Sequence, residues 1–303
     1  MMTDNHAGID RVCVAYLTWG PLGLGSVRQF VDSYRRHDAG IPHELVVILN
    51  DVGTADATAI ASMLRGIPHR AFPLDHAVFD LEAYRLVTEA FEADAYCFLN
   101  TYSRVLARDW LVRYVDALGI QSIGVAGASG AYQSMREFNP WRSGPTGLPL
   151  MKHARLQVAT TRRALGIRRH FPASPCPYVR SNAFAMRAST IDLVGWPRLE
   201  SKMDTWRWES GTRSLTARTL AAGMRCVLID RFGGIFDIPD WPASGTFWSR
   251  GQGGLLVADN RSDRYDRATE PERRRLERES WAARRISRDV YPGGMVPSVA
   301  GDD

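Results

Sequence analysis

No apolar run in the sequence approaches the roughly 18 residues that a membrane-spanning helix requires, and residues 1–11 lack the basic-then-apolar layout of a secretory signal. The expectation is therefore a cytoplasmic protein. Cysteine is sparse, with four in 303 residues, and none is spaced from another as a CxxC metal or redox pair requires. Cys13, Cys97 and Cys226 fall inside apolar runs and read as buried, reduced thiols. Lysine is nearly missing: Lys152 and Lys202 are the only two, so arginine supplies the rest of the 38 basic residues. With a net charge of only +5, that usage reflects base composition rather than a nucleic-acid face. No Walker A sequence, HExxH or G-x-S-x-G occurs, which removes the commonest signatures of NTPases, zinc proteases and hydrolases.

The rest is globular. Hydrophobic residues make up 45% and charged residues 23%, enough for one large α/β domain or two smaller ones. Charge is unevenly placed: residues 131–170 hold eight basic residues against the single acid Glu137. This stretch has three open readings: a solvated surface, an insert that binds acceptor or diphosphate, or a patch that approaches anionic lipid headgroups. Residues 261–290 mix ten arginines with seven acids, the pattern of a solvated helix.

Strand and helix signals alternate along the first half. Residues 11–17 (RVCVAYL), 44–49 (ELVVIL), 69–72, 95–99 (AYCFL) and 122–126 have the length and composition of buried parallel strands. Between them, Val27, Phe30, Val31 and Tyr34 form one helical stripe with Ser26 as the expected cap. Ile60, Met63 and Leu64 form another, capped by Thr54 or Asp56. Helices are also expected around 81–91 and from Trp110 through Leu118. This order implies a mostly parallel sheet with helices on both faces, and ligands at the carboxyl ends of the strands. The loop TWGPLGLGS (18–26) is not a dinucleotide fingerprint, because Arg28 occupies the position of its last glycine.

Residues 44–64 (ELVVILNDVGTADATAIASML) resemble the second strand, acidic turn and following helix of family-two glycosyltransferases of the GT-A fold. Residues 95–118 (AYCFLNTYSRVLARDWLVRYVDAL) resemble the same family's D-x-D segment and the helix after it, and GVAGAS (124–129) resembles the next strand and glycine turn. The resemblance covers about residues 11–130. It implies a GT-A-like, Rossmann-like single large domain with a mostly parallel central sheet, a C-terminal helical tail and a nucleotide-diphosphate sugar as donor substrate. Thr18, Asn50, Asp51, Asn100, Tyr102 and Arg104 are the implied donor-binding residues. The sequence departs from the family at one place: the two D-x-D positions, which hold Mg²⁺ or Mn²⁺ in the family, are Asn100 and Tyr102. Neither supplies a carboxylate, so no metal ligand is assigned, and either arginines such as Arg104 or Arg180 neutralise the diphosphate or catalysis has been lost.

In the second half, residues 177–190 resemble the segment before the family's acceptor site, which marks Asn182. Residues 203–230 resemble its acidic segment with the helix and strand that follow. Glu209 falls on the first acidic position and is the implied base, with Asp204 in reserve; the alternative is that Glu209 caps a helix beginning near Gly211. Trp206 and Trp208 flank Glu209 on what reads as an extended segment and are candidates for stacking on an acceptor sugar. Residues 231–266, rich in glycine and aromatics, read as a flap over the donor. The division expected is 1–130 for the nucleotide-sugar half, 131–180 for the basic insert, 181–260 for the acceptor half and 261–303 for a charged helix and tail. The implied activity is transfer of a sugar from a nucleotide diphosphate to a hydroxyl of a glycan, glycolipid or small molecule, with inversion. The alternative is a non-catalytic nucleotide- or glycan-binding relative. A nucleotidyltransferase is not expected, because no lysine precedes Lys152. Partners are the donor and the acceptor, with peripheral contact at the inner membrane face a further option and nucleic acid excluded for want of a binding motif.

Overall fold

The structure is a computed structural model that describes residues 8–137, 167–281 and 286. Seven of the eight residues of β1 (Val12–Trp19) are buried. A strand this apolar on both faces must lie inside a sheet covered by helices on either side. It pairs in parallel with β2 (Glu44–Asn50) and with β4 (Ala95–Leu99), and β2 pairs in parallel with β3 (Arg70–Pro73).

On the far side of β4 the chain departs from a simple crossover series. The neighbour of β4 is β9 (Ala183–Arg187), antiparallel to it, and beyond β9 lies β6 (Ile123–Gly127), also antiparallel to β9. β10 (Arg225–Ile229) then runs parallel to β6, and the short β11 (Ile235–Asp237) closes that edge antiparallel. The order is β3-β2-β1-β4-β9-β6-β10-β11, a mostly parallel eight-stranded sheet as expected, with a late strand inserted in its middle. Two small ladders sit outside it: β5 (Arg104–Val105) with β12 (Val257–Ala258), and β7 (Gly130–Ala131) with β8 (Tyr178–Val179).

Alternation along the strands sorts the core into two layers. Val14 and Tyr16 face α1 (Leu24–Arg36) and α4 (Trp110–Gly119), where Phe30, Trp110 and Tyr114 are fully buried. Tyr16 stacks on Phe30 with ring centroids 3.6 Å apart. Ala15 and Leu17 face the opposite layer, which holds Tyr84 of α3 (Asp80–Ala90), Phe98, Phe184 and Trp208. α2 (Thr54–Met63) covers the β2 side through Ile60. α5 (Ala188–Val194), α6 (Lys202–Ser210) and α7 (Leu215–Ala221) follow β9, and α8 (Asn260–Arg267) and α9 (Glu270–Trp281) complete the described chain. None of the described helices is long and apolar enough to cross a membrane.

Several local expectations are corrected. α1 starts at Leu24 behind Gly23, and the Ser26 hydroxyl is buried without a partner among the described residues, so it caps nothing. α2 begins after Gly53, which puts Thr54 inside the first turn. Gly20 has a packing reason in place of a phosphate-binding one: a Cβ there would lie 1.7 Å from the Asp51 carbonyl oxygen, so only glycine lets the loops after β1 and β2 touch. The expected flap is core, because Trp241, Phe247 and Trp248 are fully buried and Trp281 of α9 donates its indole N–H to the Phe247 carbonyl at 3.0 Å. Residues 261–281 form two helices, and α9 packs inward through Leu276, Ser280 and Trp281. All four cysteines are free and buried. Most of the basic stretch, 138–166, lies outside the described residues.

Candidate active site

β4 and β9 run in opposite directions, so the end of one meets the start of the other. The Asn100 N–H donates to the Asn182 carbonyl at 2.9 Å, which ties the loop after β4 to the segment before β9. Asn100 Oδ1 accepts from the Tyr102 N–H at 3.0 Å and the Ser103 hydroxyl at 3.1 Å, folding residues 100–103 into a side-chain-closed turn. Around this junction opens a cleft of about 660 Å³ whose lining includes Asn100, Tyr102, Asn182, Trp206 and Glu209.

The floor is a buried polar chain. Arg180 donates to Asp259 Oδ2 at 2.7 Å and to the Ser129 hydroxyl at 3.1 Å, and Ser129 donates to Asn182 Oδ1 at 2.6 Å. The Arg180 guanidinium lies 3.9 Å over the Phe247 ring, which fixes its plane. Asn182 is 3% exposed, and its Nδ2 is buried without a partner among the described residues.

Two carboxyls form the wall. Glu209, in the last turn of α6, accepts from the Ser181 N–H at 3.0 Å and the Ser181 hydroxyl at 2.8 Å. Asp80, at the start of α3, approaches the same hydroxyl at 3.3 Å through Oδ2, while its Oδ1 accepts from the Leu81 N–H. Burial, and then the neighbouring Glu209 carboxylate, push the Asp80 carboxyl up from 3.8 to about 6.

The other expected residues lie elsewhere. Asp204 sits three residues into α6 and forms a reciprocal capping box with Ser201, outside the cleft. The segment of Trp206 and Trp208 is helical and not extended, so the two rings point apart: Trp206 reaches the cleft, whereas Trp208 is buried against Trp196. For the same reason Glu209 does not cap a following helix; α7 begins at Leu215 behind Ser214. Thr18 is buried and donates to the Ile48 carbonyl at 2.7 Å. Asn50 is buried and bonded through both side-chain atoms to the backbone of Val78, so it fastens the loop after β3. Asp51 is exposed, with a left-handed φ of 53°. Arg104 is paired with Asp263.

Sequence reasoning missed Asp80, Ser181 and Arg261. Asp80 carries no signal beyond an acidic residue in a first helical turn, which the helix dipole alone explains. Arg261 lines the cleft, is exposed, and has no partner for its side chain among the described residues, unlike Arg104 and Arg180. The Asn100 and Tyr102 positions do not fit a divalent cation. Neither bears a carboxylate, the Asn100 oxygen is consumed by its own turn, and the described residues contain no group of three or more His, Cys, Asp or Glu placed to hold a metal ion.

Fold and site define a Rossmann-like α/β protein with a polar cleft at the carboxyl end of β4, walled by paired carboxyls. No protein-family model matches the chain, and no curated protein matches it in sequence. Among solved structures it is similar to a mannosyltransferase from Pyrobaculum calidifontis in complex with GDP-Man and Mn²⁺, at 12% identity and a TM-score of 0.41, over 61% of this chain and 47% of that one. It is similar to TarS from S. aureus at 10% identity and a TM-score of 0.40, over 69% and 55% of the two chains. It is also similar to glucosyl-3-phosphoglycerate synthase from Mycobacterium tuberculosis in complex with Mn²⁺, UDP and phosphoglyceric acid, at 15% identity and a TM-score of 0.36, over 60% and 57%. Each match spans less than two thirds of the solved chain.

Proposed function

We propose that this chain is a GT-A-type glycosyltransferase that moves a sugar from a nucleotide-diphosphate donor to an acceptor hydroxyl in one inverting displacement. The observation that carries it is Glu209. The carboxylate at the family's acidic position lies in the cleft, beside the Asn100–Tyr102 turn, and accepts two hydrogen bonds from Ser181. The acceptor hydroxyl attacks the anomeric carbon and its proton passes to Glu209, while the sugar–phosphate bond breaks and its electron pair leaves with the diphosphate. Arg261, without a side-chain partner among the described residues, meets the diphosphate through paired N–H donors. Asn182 and the Trp206 ring, which line the same cleft, hold the acceptor sugar. Asp51 lies at the nucleoside end, on a loop that Asn50 and Thr18 shape from below.

The absence of carboxylates at 100 and 102 favours one other reading, a non-catalytic nucleotide- or glycan-binding relative. Thermal unfolding with UDP, GDP, dTDP, CMP and NAD⁺, each with Mn²⁺ and again with EDTA, tests the donor site. A ligand at a hundredfold excess over its dissociation constant adds about 2.7 kcal/mol. A rise with one diphosphate that survives EDTA is expected. No rise with any diphosphate sinks the donor site, and binding without transfer or donor hydrolysis leaves the non-catalytic relative. Retention of configuration in the product rules out the single displacement.

A further inference from the structure

Ser181 has one hydroxyl proton and two carboxyl neighbours. Its N–H and its hydroxyl both reach Oε1 of Glu209, at 3.0 and 2.8 Å, so this oxygen receives two donors from one residue. The hydroxyl proton is then committed to Glu209. Asp80 Oδ2 nevertheless lies 3.3 Å from the same Oγ, within donor reach of a hydroxyl that has one proton for two carboxyl oxygens. Oxygen against oxygen at that distance, without a proton between them, is repulsive. Oδ1 of Asp80 is occupied by the Leu81 N–H, which leaves Oδ2 as the atom able to carry the missing proton.

We propose that Asp80, Ser181 and Glu209 form a one-proton unit, in which Asp80 holds the proton and donates it to Ser181 Oγ, Ser181 donates to Glu209, and Glu209 is the sole free carboxylate in the wall. Three separate elements supply the three members: the N-terminus of α3, the segment before β9, and the last turn of α6. The other titratable groups around the pair are Tyr84 of α3, Tyr178 of β8, and Arg180, Asp259, Arg261 and Glu279 along the cleft. Arg180 is paired with Asp259, and among the described residues no cation forms an ion pair with Asp80 or Glu209. Two adjacent carboxyls without such a cation keep one proton between them.

The consequence for chemistry rests on the transferase assignment. A protonated Asp80 removes a negative charge from beside the departing diphosphate and lets Glu209 alone accept the acceptor's proton. When Glu209 takes that proton the unit carries two, and it must release one before the next turnover.

The shared proton itself can be read without any activity. The full chain, labelled with ¹³C at the aspartate side-chain carboxyl alone, is titrated by NMR, and then the D80N and E209Q proteins are treated the same way. In the wild type, one aspartate is expected to titrate with a midpoint at about 6. D80N removes that resonance, and E209Q lowers its midpoint part of the way, because the neighbouring charge is gone while the burial remains. Labelling glutamate in place of aspartate makes the same distinction in the wild type if a variant fails to fold. The proposal is overturned if no aspartate titrates above about pH 5, or if the high midpoint belongs to a glutamate and is lost in E209Q. A failed donor-binding test would leave this titration unchanged, so the two can fail separately.

Discussion

Arg180 and Asp259 form an ion pair beneath the cleft, Nη2 to Oδ2 at 2.7 Å, with the Asp259 side chain 1% exposed. Removing one partner leaves a nearly buried charge without its counter-ion. Arg180→Met is expected to cost about 3–5 kcal/mol of stability, and Asp259→Asn a similar amount even though asparagine can still cap α8. Adding Asp259→Asn to Arg180→Met should recover part of the loss, because no unpaired charge is left. Denaturant midpoints of the four proteins measure the coupling, and strict additivity would contradict it.

The raised Asp80 carboxyl makes stability depend on pH in a defined direction. The folded state holds this proton up to about 6, against 3.8 for an ordinary aspartate. The stabilisation is complete below the unfolded value and is lost as pH rises through the folded one, about 3 kcal/mol in all. Asp80→Asn cannot titrate, so wild type minus variant should decline between about pH 4 and pH 6 and be flat above it. A difference that rises over that window would give Asp80 the opposite sign.

Trp206 and Trp208 separate a ligand role from a packing role on one helix. Trp208 is 3% exposed and packs on Trp196, so Trp208→Ala should cost about 3–5 kcal/mol. Trp206 is half-buried at the cleft with the Lys202 ammonium 5.2 Å above its ring. Trp206→Ala is expected to lower stability by less than about 1 kcal/mol and to raise the acceptor KM about fivefold, the loss of one stacking contact. Denaturation and initial-rate kinetics on both variants decide between the roles.

Arg261→Ala removes a cleft cation that has no side-chain partner among the described residues. One charge-assisted contact is worth about 1.5–3 kcal/mol, so nucleoside diphosphate affinity should fall roughly tenfold to a hundredfold, equally in Mn²⁺ and in EDTA. Isothermal titration reads this directly, and a loss seen only with Mn²⁺ would show that a cation shares the site.

Much of the sheet is legible in the sequence because the signals there are local. The apolar runs of β1, β2, β4 and β6 fall within a residue or two of their expected places, and the stripe from Trp110 to Leu118 is buried as periodicity implies. Asn100, Tyr102 and Glu209 are likewise found in the cleft from motif position alone. What the sequence hides depends on distant partners. Asp80 acquires its meaning only where residues 181 and 209, more than a hundred positions later, close on it. Asn50 looks like a ligand until Val78 is seen to consume its amide. The aromatics of 231–266 look mobile until α9 packs behind them, a contact that no periodicity encodes.

The position of β9 also bears on how the chain is made. β4 and β6 are complete by residue 127, yet they do not touch each other; the strand that joins them is residues 183–187. During synthesis, the emerging N-terminal half therefore carries a strand-wide gap with open edges on both sides. It cannot mature until some sixty further residues have left the ribosome. The turn at Asn100 and the wall at Ser181 are set by that same late insertion, so the cleft comes into being at the moment the sheet closes.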